Sequence, residues 1–331
     1  MGARGECGRI AQSPRTIESD DVKFSVVVPT YNEERDIADT LDHLLLLDGH
    51  EVEILVVDDS TDHTPEIVAG YAHRGVRLLR PPKPEGRCGA RNLGIREASG
   101  DVVVILNADV HLPRDFVDRI CAHYRAGADY VLVRSTVENM DDLFARYVEC
   151  VGRVDMGKSD PDWMEWTEGF SCRREIAMRA GLFPVGFPVP ICAGEDGYFG
   201  TNLRKAGARK VMDFSIVVTH VAPAAFREYW RIRVGRGRGS PQVRRFLEHW
   251  PMSRIVAWAA LRVLKNVLQV ALVLPVLVIG YRIARESPHG TRDWLAFCYA
   301  WLIEQIAFHV GEWRSIFEIC RAEGIARADR G

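Results

Sequence analysis

Residues 24–33 read FSVVVPTYNE, a run of β-branched and apolar residues that ends at a proline and a polar cluster. Similar apolar runs recur at 52–57, 76–79 and 102–106, and helical patterns lie between them at 37–47, 64–73 and 88–99. Short apolar strands that alternate with helices predict an α/β domain with a central, mostly parallel sheet. Because such sheets bind ligands at the carboxyl ends of their strands, the residues after each strand are the first candidates for a site.

The composition limits the classes of protein that remain. The chain has 331 residues, of which 47% are hydrophobic and 27% are charged, which argues against general disorder. A formal net charge of -2 argues against a nucleic-acid binder. None of the eight cysteines forms a C-x-x-C pair or a zinc-like cluster. A chain of this size does not need a disulfide framework, so reduced thiols in a cytosol-facing protein are expected.

The chain changes character along its length, which predicts four segments. A polar lead, expected to be disordered and not a secretory signal, is followed by the α/β domain, a basic amphipathic linker and a helical, membrane-associating region. Their bounds are 1–21, 22–225, 226–254 and 255–331.

The C-terminal region contains the most apolar stretch, residues 266–281, which carries no formal charge over 16 residues. At about 1.5 Å per residue, a helix of this length is shorter than a hydrocarbon core of about 30 Å, although Arg262 and Lys265 can snorkel. Further on, an amphipathic helix is predicted from an apolar stripe: Leu302, Ile306, Val310, Trp313, Phe317 and Cys320. These helices either pack as a core, on the α/β domain or in a dimer, or attach to a membrane as a short hairpin or in the membrane plane. We favour the membrane, with the α/β domain on the cytoplasmic side.

Polar motifs follow the predicted strands in a fixed order. They are Pro29–Glu33, Asp58-Asp59-Ser60-Thr61-Asp62, Gly89-Ala90-Arg91-Asn92-Leu93-Gly94, Asn107-Ala108-Asp109 and Glu195-Asp196. Adjacent carboxylates can accept hydrogen bonds from a base or ribose, and arginines at a helix start can bind a diphosphate. A strand-end carboxylate can hold Mg²⁺ or Mn²⁺, and a loop carboxylate can act as a general base. Taken singly, each motif is also consistent with a helix cap or a turn.

In this order and at these intervals, the motifs resemble those of the inverting family 2 glycosyltransferases of the GT-A fold, over residues 22–225. Residues 168–174 and 181–183 resemble the acceptor-side segment of that family. The resemblance implies a GT-A nucleotide-sugar-binding domain followed by the helical membrane-associated region.

The resemblance also implies a role for particular residues. Asp196, in the pair Glu195-Asp196, would be the catalytic base. Asp109 would hold Mg²⁺ or Mn²⁺, and His220 is either a further metal contact or a strand-end histidine bonded to the backbone. The residues expected near the donor nucleotide are Pro29, Tyr31, Glu33, Asp59, Arg87, Arg91, Asn107 and Ala108. A uridine diphosphate sugar is the first expectation for the donor.

Four features of the sequence leave alternatives open. Asn107 replaces the first acid of the usual D-x-D motif, which removes one charge from the metal site. Residues 242–246 (QVRRF) partly echo the Q-x-x-R-W of processive synthases, although processivity is disfavoured because the larger set of spanning helices is missing. Residues 236–239 (RGRG) are either a solvated basic loop or a site for a lipid phosphate or anionic lipid. Trp163 and Trp166 either stack on a sugar or pack in the core.

The expected function is therefore the transfer of a sugar, with inversion, from a nucleotide-sugar donor to a lipid-linked or membrane-proximal acceptor. The expected partners are this donor, this acceptor and membrane lipids, but no nucleic acid. Two alternatives are a soluble transferase for a non-lipid acceptor and a degenerate, non-catalytic subunit. A nucleotidyltransferase is disfavoured because residues 29–33 are not a Gly-rich phosphate loop.

Overall fold

The structure is a computed structural model that describes residues 22–83, 85–156 and 166–328. The predicted disordered lead and Trp163 lie outside the described residues.

The described part of the chain contains an eight-stranded mixed sheet, with the strand order β3-β2-β1-β4-β7-β6-β8-β5. Strands β1, β2, β3 and β4 run parallel, as do β6 and β8, whereas β7 and β5 are antiparallel to their neighbours. The strands are β1 (Phe24–Thr30), β2 (Val52–Asp58), β3 (Val76–Leu79), β4 (Val102–Ile105), β5 (Val110–His111), β6 (Tyr130–Val137), β7 (Phe170–Arg173) and β8 (Lys210–His220). The predicted α/β fold with a GT-A-like sheet is confirmed.

Strand β1 lies between β2 and β4 and contributes to a hydrophobic core on each face of the sheet. Val26 and Val28 are buried in the core on one face, and Val27, between them, is buried in the core on the other. Since successive side chains of a strand point to opposite faces, the unbroken VVV run is what a doubly covered sheet requires.

Helices cover the sheet and continue beyond it. They are α1 (Ile37–Leu44), α2 (Thr64–Gly70), α3 (Gly86–Glu97), α4 (Phe116–Arg125), α5 (Leu143–Met156), α6 (Arg174–Arg179), α7 (Glu195–Lys205), α8 (Phe226–Gln242), α9 (Met252–Ala271), α10 (Leu274–Ala284) and α11 (Trp294–Ala328). The first two helices end three residues earlier than the periodicity predicts. After α2, the chain forms a 3₁₀ turn at Ala72–Arg74, which ends at Gly75 with φ of 90°.

The RGRG stretch is part of helix α8, so its interpretation as a solvated loop is wrong. Both of its glycines lie close to the backbone of another segment. A Cβ atom on Gly237 would lie 2.0 Å from the carbonyl oxygen of Phe308 in α11, and one on Gly239 would lie 2.4 Å from the carbonyl oxygen of Ala193. On the opposite helix, a Cβ on Gly311 would lie 2.0 Å from the carbonyl oxygen of Val234. Glycine therefore allows α8 and α11 to pack backbone against backbone.

The apolar run at residues 266–281 is divided between α9 and α10. The two helices are bent by 89° at a break that contains Val273, whose φ is 57°. Positive φ is strained for a β-branched residue. No single described helix is both long enough and apolar enough to cross a membrane, and α9 and α10 meet that test only as a bent pair. The expectation of a transmembrane helix is therefore not supported.

Part of the predicted apolar stripe of α11 faces outward, whereas Leu302 and Trp313 pack against buried clusters. Ile306, Val310 and Phe317 are exposed, whereas Glu312 and Ser315 are buried. The helix is fixed to its neighbours by ion pairs: Arg233–Glu304 at 3.1 Å, Arg238–Glu318 at 2.8 Å, Arg245–Glu323 at 2.5 Å and Arg262–Glu312 at 3.3 Å. The inner side of α11 therefore combines these polar contacts with buried apolar clusters, while apolar side chains such as Ile306, Val310 and Phe317 remain exposed on its outer side.

The close crossing of α8 and α11 predicts opposite effects for two neighbouring glycines. We expect Gly237→Ala to lower the free energy of unfolding by about 1–3 kcal/mol, because the added methyl group meets the backbone of α11. Gly235→Ala is the matched control, because its Cβ has no atom within 4 Å. It should be neutral or stabilise the helix by up to about 1 kcal/mol. Thermal or urea unfolding measures both, and equal effects would contradict the packing.

Candidate active site

The loops after β1 and β2 are held together by a buried carboxylate. Asp58 is fully buried and accepts hydrogen bonds from the hydroxyls of Thr30 at 2.8 Å and Ser60 at 2.6 Å. Arg80 donates to its second oxygen at 2.9 Å. The Asp58 carboxylate therefore serves to hold these two loops together. The neighbouring Asp59 is only half-buried.

Asn32 holds the first of these loops against the second. Its backbone has a φ of 60°, a left-handed conformation that Asn tolerates better than most residues. Its N–H donates to the Ser60 hydroxyl at 2.7 Å, and its side-chain oxygen accepts from the N–H of Thr61 at 2.9 Å. The candidate donor residue Tyr31, next to it, is exposed.

Arg91 is buried at the centre of the site, where it joins three segments of the chain. Its guanidinium donates to Glu195 of α7 at 2.9 Å, to the hydroxyl of Thr167 at 3.0 Å and to the side-chain oxygen of Asn107 at 3.3 Å. It also lies over the ring of Phe183. Only 1% of Arg91 is exposed, so it is positioned to support the site and has little surface for contact with a donor.

The adjacent acids Glu195 and Asp196 have different surroundings at the start of α7. Glu195 is buried and pairs with Arg91, and Arg87 lies 3.6 Å away. Asp196 remains partly accessible to solvent. Desolvation and the charges of Glu195 and Glu168 raise the pKa of Asp196 to about 6, although Arg91 acts in the opposite direction. Asp196 is thus the member of the pair suited to exchange a proton near neutral pH.

A second group of acids lies around Asp109, which directly precedes β5. Desolvation and the charge of Glu168 raise the pKa of Asp109, and His220 partly offsets them. Desolvation and the charge of Asp109 also raise the pKa of Glu33, to about 7. Burial and nearby negative charge thus disfavour the ionised form of both carboxyl groups, and a bound cation would offset that negative charge.

His220 lies beside Asp109 at the edge of the sheet. It ends β8 and is paired with Val110, the first residue of β5. One ring nitrogen, Nδ1, is 3.0 Å from the hydroxyl of Ser135. The hydrogen-bond partner of the His220 ring is thus a side chain, Ser135, and not the backbone partner that the sequence had left as an alternative. A hydrogen bond at Nδ1 leaves Nε2 as the nitrogen that a metal ion would use.

Arginines of α8 contribute positive charge to the acidic site. Asp196 and Glu168 interact electrostatically with Arg236, and Glu33 interacts with Arg231. Desolvation and the nearby Arg233 guanidinium lower the pKa of Arg236. The positions of these arginines in the site were not predicted from the sequence. Their only signal was the basic composition of residues 226–254.

Helix α8 also supports the loop that leads into the pair Glu195-Asp196. The side chain of Gln242, which is fully buried, accepts a hydrogen bond from the N–H of Cys192 at 3.0 Å. The Gln of the QVRRF segment therefore has a structural contact two residues before Gly194, the residue from which α7 begins. The Phe of that segment, Phe246, stacks on Phe187 with ring centroids 5.1 Å apart.

The other residues singled out in the sequence mainly contact the protein's own backbone and core. Pro29 is half-buried, and Ala108 is buried, with its carbonyl accepting from the Thr40 hydroxyl at 2.6 Å. Trp166 donates to the carbonyl of Val133 at 2.9 Å and packs against the core on one face of the sheet. Thr167 and Arg80 were missed, because nothing in their local sequence marks them as partners of buried charges.

The family follows from a comparison with known proteins. The model of glycosyl transferase family 2 matches residues 25–194, which is more than half of the chain. The chain belongs to this family. The match covers the β1 loop, Asp59, Arg91 and Asp109, and it ends directly before Glu195.

Relatives and solved structures extend this family assignment. A dolichol-phosphate mannosyltransferase of Pyrococcus furiosus is 31% identical over 180 residues, which are 51% of this chain and 51% of the relative. The chain thus spans about half the length of this curated relative. Two solved structures show the same fold. The mannosyltransferase PcManGT of Pyrobaculum calidifontis, in complex with GDP-Man and Mn²⁺, has a TM-score of 0.56 and 22% identity, and the match covers 92% of this chain and 90% of that one. TarS of S. aureus, in complex with UDP-GlcNAc, has a TM-score of 0.52 and 17% identity, covering 88% and 90%.

The buried pair of Arg91 and Glu195 predicts a strong energetic coupling between these two residues. We expect Glu195→Ala to destabilise the protein by about 3–5 kcal/mol, because it leaves the Arg91 charge buried without its partner. The double variant Arg91→Ala/Glu195→Ala should lose less than the sum of the two single variants. Urea unfolding of the four proteins gives the coupling energy. Strict additivity would contradict a direct interaction.

Proposed function

We propose that this family 2 enzyme transfers one sugar, with inversion, from a nucleoside diphosphate sugar to a lipid-linked acceptor at a membrane surface. One observation carries the proposal: helix α8 contacts both the candidate active site and the C-terminal helices. Its arginines interact with the acids of the site, and its glycines pack against the C-terminal layer whose outer side is apolar.

The donor side consists of the loops after β1, β2 and β4. Asp59 is proposed to contact the base or ribose, while Asp109 and His220 are proposed to hold a divalent cation. The residues fit such an ion, since a carboxylate and an imidazole are suitable ligands and the crowded acids favour a cation. Bound Mg²⁺ or Mn²⁺ would stabilise the charge of the departing diphosphate. The solved relatives bind UDP-GlcNAc or GDP-Man, and we propose a uridine nucleotide as the first donor to test.

The transfer itself depends on Asp196. Its carboxylate accepts the proton of an acceptor hydroxyl while the hydroxyl oxygen bonds to the anomeric carbon of the sugar. The bond from that carbon to the diphosphate oxygen breaks on the opposite side, so the configuration inverts. If the nucleophile is a phosphate, it is already ionised, and Asp196 then orients it. Glu195, held by Arg91, positions Asp196 at the first turn of α7.

The acceptor side combines positive charge with an apolar surface. Arg87, Arg231 and Arg236 are exposed and interact with the acids of the site, so they are suited to attract the phosphate of a lipid carrier. The relative from Pyrococcus furiosus bears the name of such an acceptor, dolichol phosphate.

The proposed membrane contact is an apolar outer face formed by α9, α10 and α11. Its residues are the exposed Leu261, Leu264, Val267, Leu268, Leu272, Val273, Leu274, Val278, Leu295, Ile306, Val310 and Phe317. Residues Leu272–Leu274, at the bend between α9 and α10, form a run of three consecutive exposed apolar side chains. Exposed basic residues on the same helices, Lys265, Arg282 and Arg285, suit the anionic headgroups of lipids. This arrangement favours helices that lie in the membrane plane.

The role of Asp196 predicts a defined pH profile. We expect kcat/KM for a hydroxyl acceptor to fall about tenfold for each pH unit below about 6, where the Asp196 carboxyl becomes protonated. Asp196→Asn should bind nucleotide with Mn²⁺, seen as a thermal shift, but lose about 10²–10⁴ in transfer rate and show no fall near pH 6. Glu33→Gln is the control, because burial and the charge of Asp109 raise the pKa of Glu33 to about 7; the fall below about pH 6 should persist in this variant. Full transfer by Asp196→Asn would remove Asp196 as the base.

The apolar outer face predicts binding to anionic vesicles. Replacing Leu268, Leu272 and Leu274 by Ser should weaken vesicle binding by at least roughly tenfold, since each buried Leu contributes about 1.5 kcal/mol or more. Vesicle flotation measures the effect. Leu46→Ser/Met178→Ser is the control, because these two residues are exposed on the α/β domain instead. Equal binding by both variants would show that the membrane contact lies elsewhere.

A further inference from the structure

A cluster of metal-ligating side chains lies outside the proposed donor and acceptor sites. Asp39 and His43, one turn apart on α1, meet His111 of β5. One ligand atom from each residue lies within 4.8 Å of the other two, which no other group of three or more among the described residues achieves. The proposed mechanism of sugar transfer uses none of these three side chains.

His111 is the central member because carboxylates face both of its ring nitrogens. Its Nδ1 is 3.0 Å from Oε1 of Glu138, and its Nε2 is 3.0 Å from Oδ2 of Asp39. A neutral imidazole carries one hydrogen, so one of its nitrogens would turn a lone pair toward a carboxylate. When Nδ1 donates to Glu138, the Nε2 lone pair faces Asp39. A cation between Nε2 and Asp39 removes this repulsion.

His43 is placed to supply the third ligand. Its ring stacks on that of His111, with centroids 4.1 Å apart and an interplanar angle of 14°. Its Nδ1 lies 2.9 Å from the carbonyl oxygen of Asp39, which accepts one ring hydrogen and leaves Nε2 with a lone pair. The His43 and Asp39 side chains are 42% and 64% exposed, so an ion can enter from solvent.

The spacing of the ligand atoms suits a small tetrahedral ion. Two ligands at about 2.1 Å from Zn²⁺ lie roughly 3.4 Å apart in tetrahedral geometry. Oδ2 of Asp39 lies 3.0 Å from Nε2 of His111, close to that separation, and one ligand atom of His43 lies within 4.8 Å of the ligand atoms of the other two residues. The approach of Glu138 to Nδ1 of His111 is the carboxylate–histidine arrangement that orients metal-binding imidazoles.

We propose that Asp39, His43 and His111 form a second metal site, which takes Zn²⁺ or a similar transition-metal ion, and that Glu138 orients His111. Two imidazole nitrogens and one carboxylate oxygen favour such an ion over Mg²⁺, which prefers oxygen ligands. Glu138 is itself held by the hydroxyl of Thr219 in β8. An ion here would therefore fasten α1 to the edge of the sheet formed by β5 and β8.

Co²⁺ titration of the full chain at pH 7.5 tests the proposal, since tetrahedral Co²⁺ gives strong visible absorption bands. An Asp109→Asn background removes a ligand of the proposed donor-site cation. We expect this variant to bind one Co²⁺ per chain with tetrahedral bands that excess Zn²⁺ abolishes. Adding His43→Gln should remove the bands, and adding Glu138→Gln should weaken affinity by about 10–100-fold.

His123→Gln is the matched control, because His123 also pairs with a carboxylate, Asp213, at 2.9 Å but lies outside the cluster. It should leave the bands and the stoichiometry unchanged. Unchanged Co²⁺ binding in the His43→Gln protein would overturn the proposal, and so would the absence of tetrahedral bands in the Asp109→Asn protein. Either result would show that protons and ion pairs alone hold the cluster.

Discussion

The buried bond between Arg91 and Glu195 fixes the relative positions of the two sides of the site. Arg91 lies on α3, next to the donor loops, and Glu195 begins α7, which carries the proposed base. An ion pair removed from water costs free energy unless its hydrogen-bonding groups find partners. Thr167 and Asn107 supply two of these partners, so the segment before β7 and the end of β4 are drawn to the same point. The position of Asp196 thus depends on a contact between residues 104 positions apart in the chain.

Asn107 is explained by the same contact. In the sequence it is a departure from the D-x-D motif that removes a charge from the metal site. In the structure its side-chain oxygen accepts from Arg91, whose guanidinium already balances Glu195. The amide serves as an acceptor without adding a second negative charge beside this pair.

The α/β fold, the order of the motifs and the clustering of polar groups at strand ends could be predicted because they follow from local patterns. Helical periodicity and the ends of strands can be recognised from residues that are close together in the sequence. In the same way, the VVV run of β1 indicates a sheet covered on both faces. The roles of single charged residues could not be predicted in this way. Asp58 and Asp59 are identical and adjacent, yet only Asp58 is enclosed, by Thr30, Ser60 and Arg80. Such partners are known only once the chain has folded.

The C-terminal region shows a second limit of sequence patterns. An RGRG stretch resembles a flexible loop because glycine disfavours helices. Here Gly237 allows the close contact between α8 and α11, since a larger residue at this position would push the two helices apart. Similarly, the stripe of α11 was recognised as one apolar face, but periodicity does not say which face meets the protein. The ion pairs of Glu304, Glu312 and Glu318 lie on the inner side of α11, and Ile306, Val310 and Phe317 of the stripe are left exposed.

The glycine crossing also bears on how movement passes through the molecule. Long side chains between two helices can change rotamer and absorb a small displacement, whereas a contact between two backbones has no such slack. Gln242 and Gly239 then join the far end of α8 to the loop before α7. Close backbone contacts therefore connect α11, through α8, to the loop before Asp196. If the outer face of α11 rests on a membrane as proposed, the distance from Asp196 to that membrane would be set by this close helix contact and not by a flexible linker.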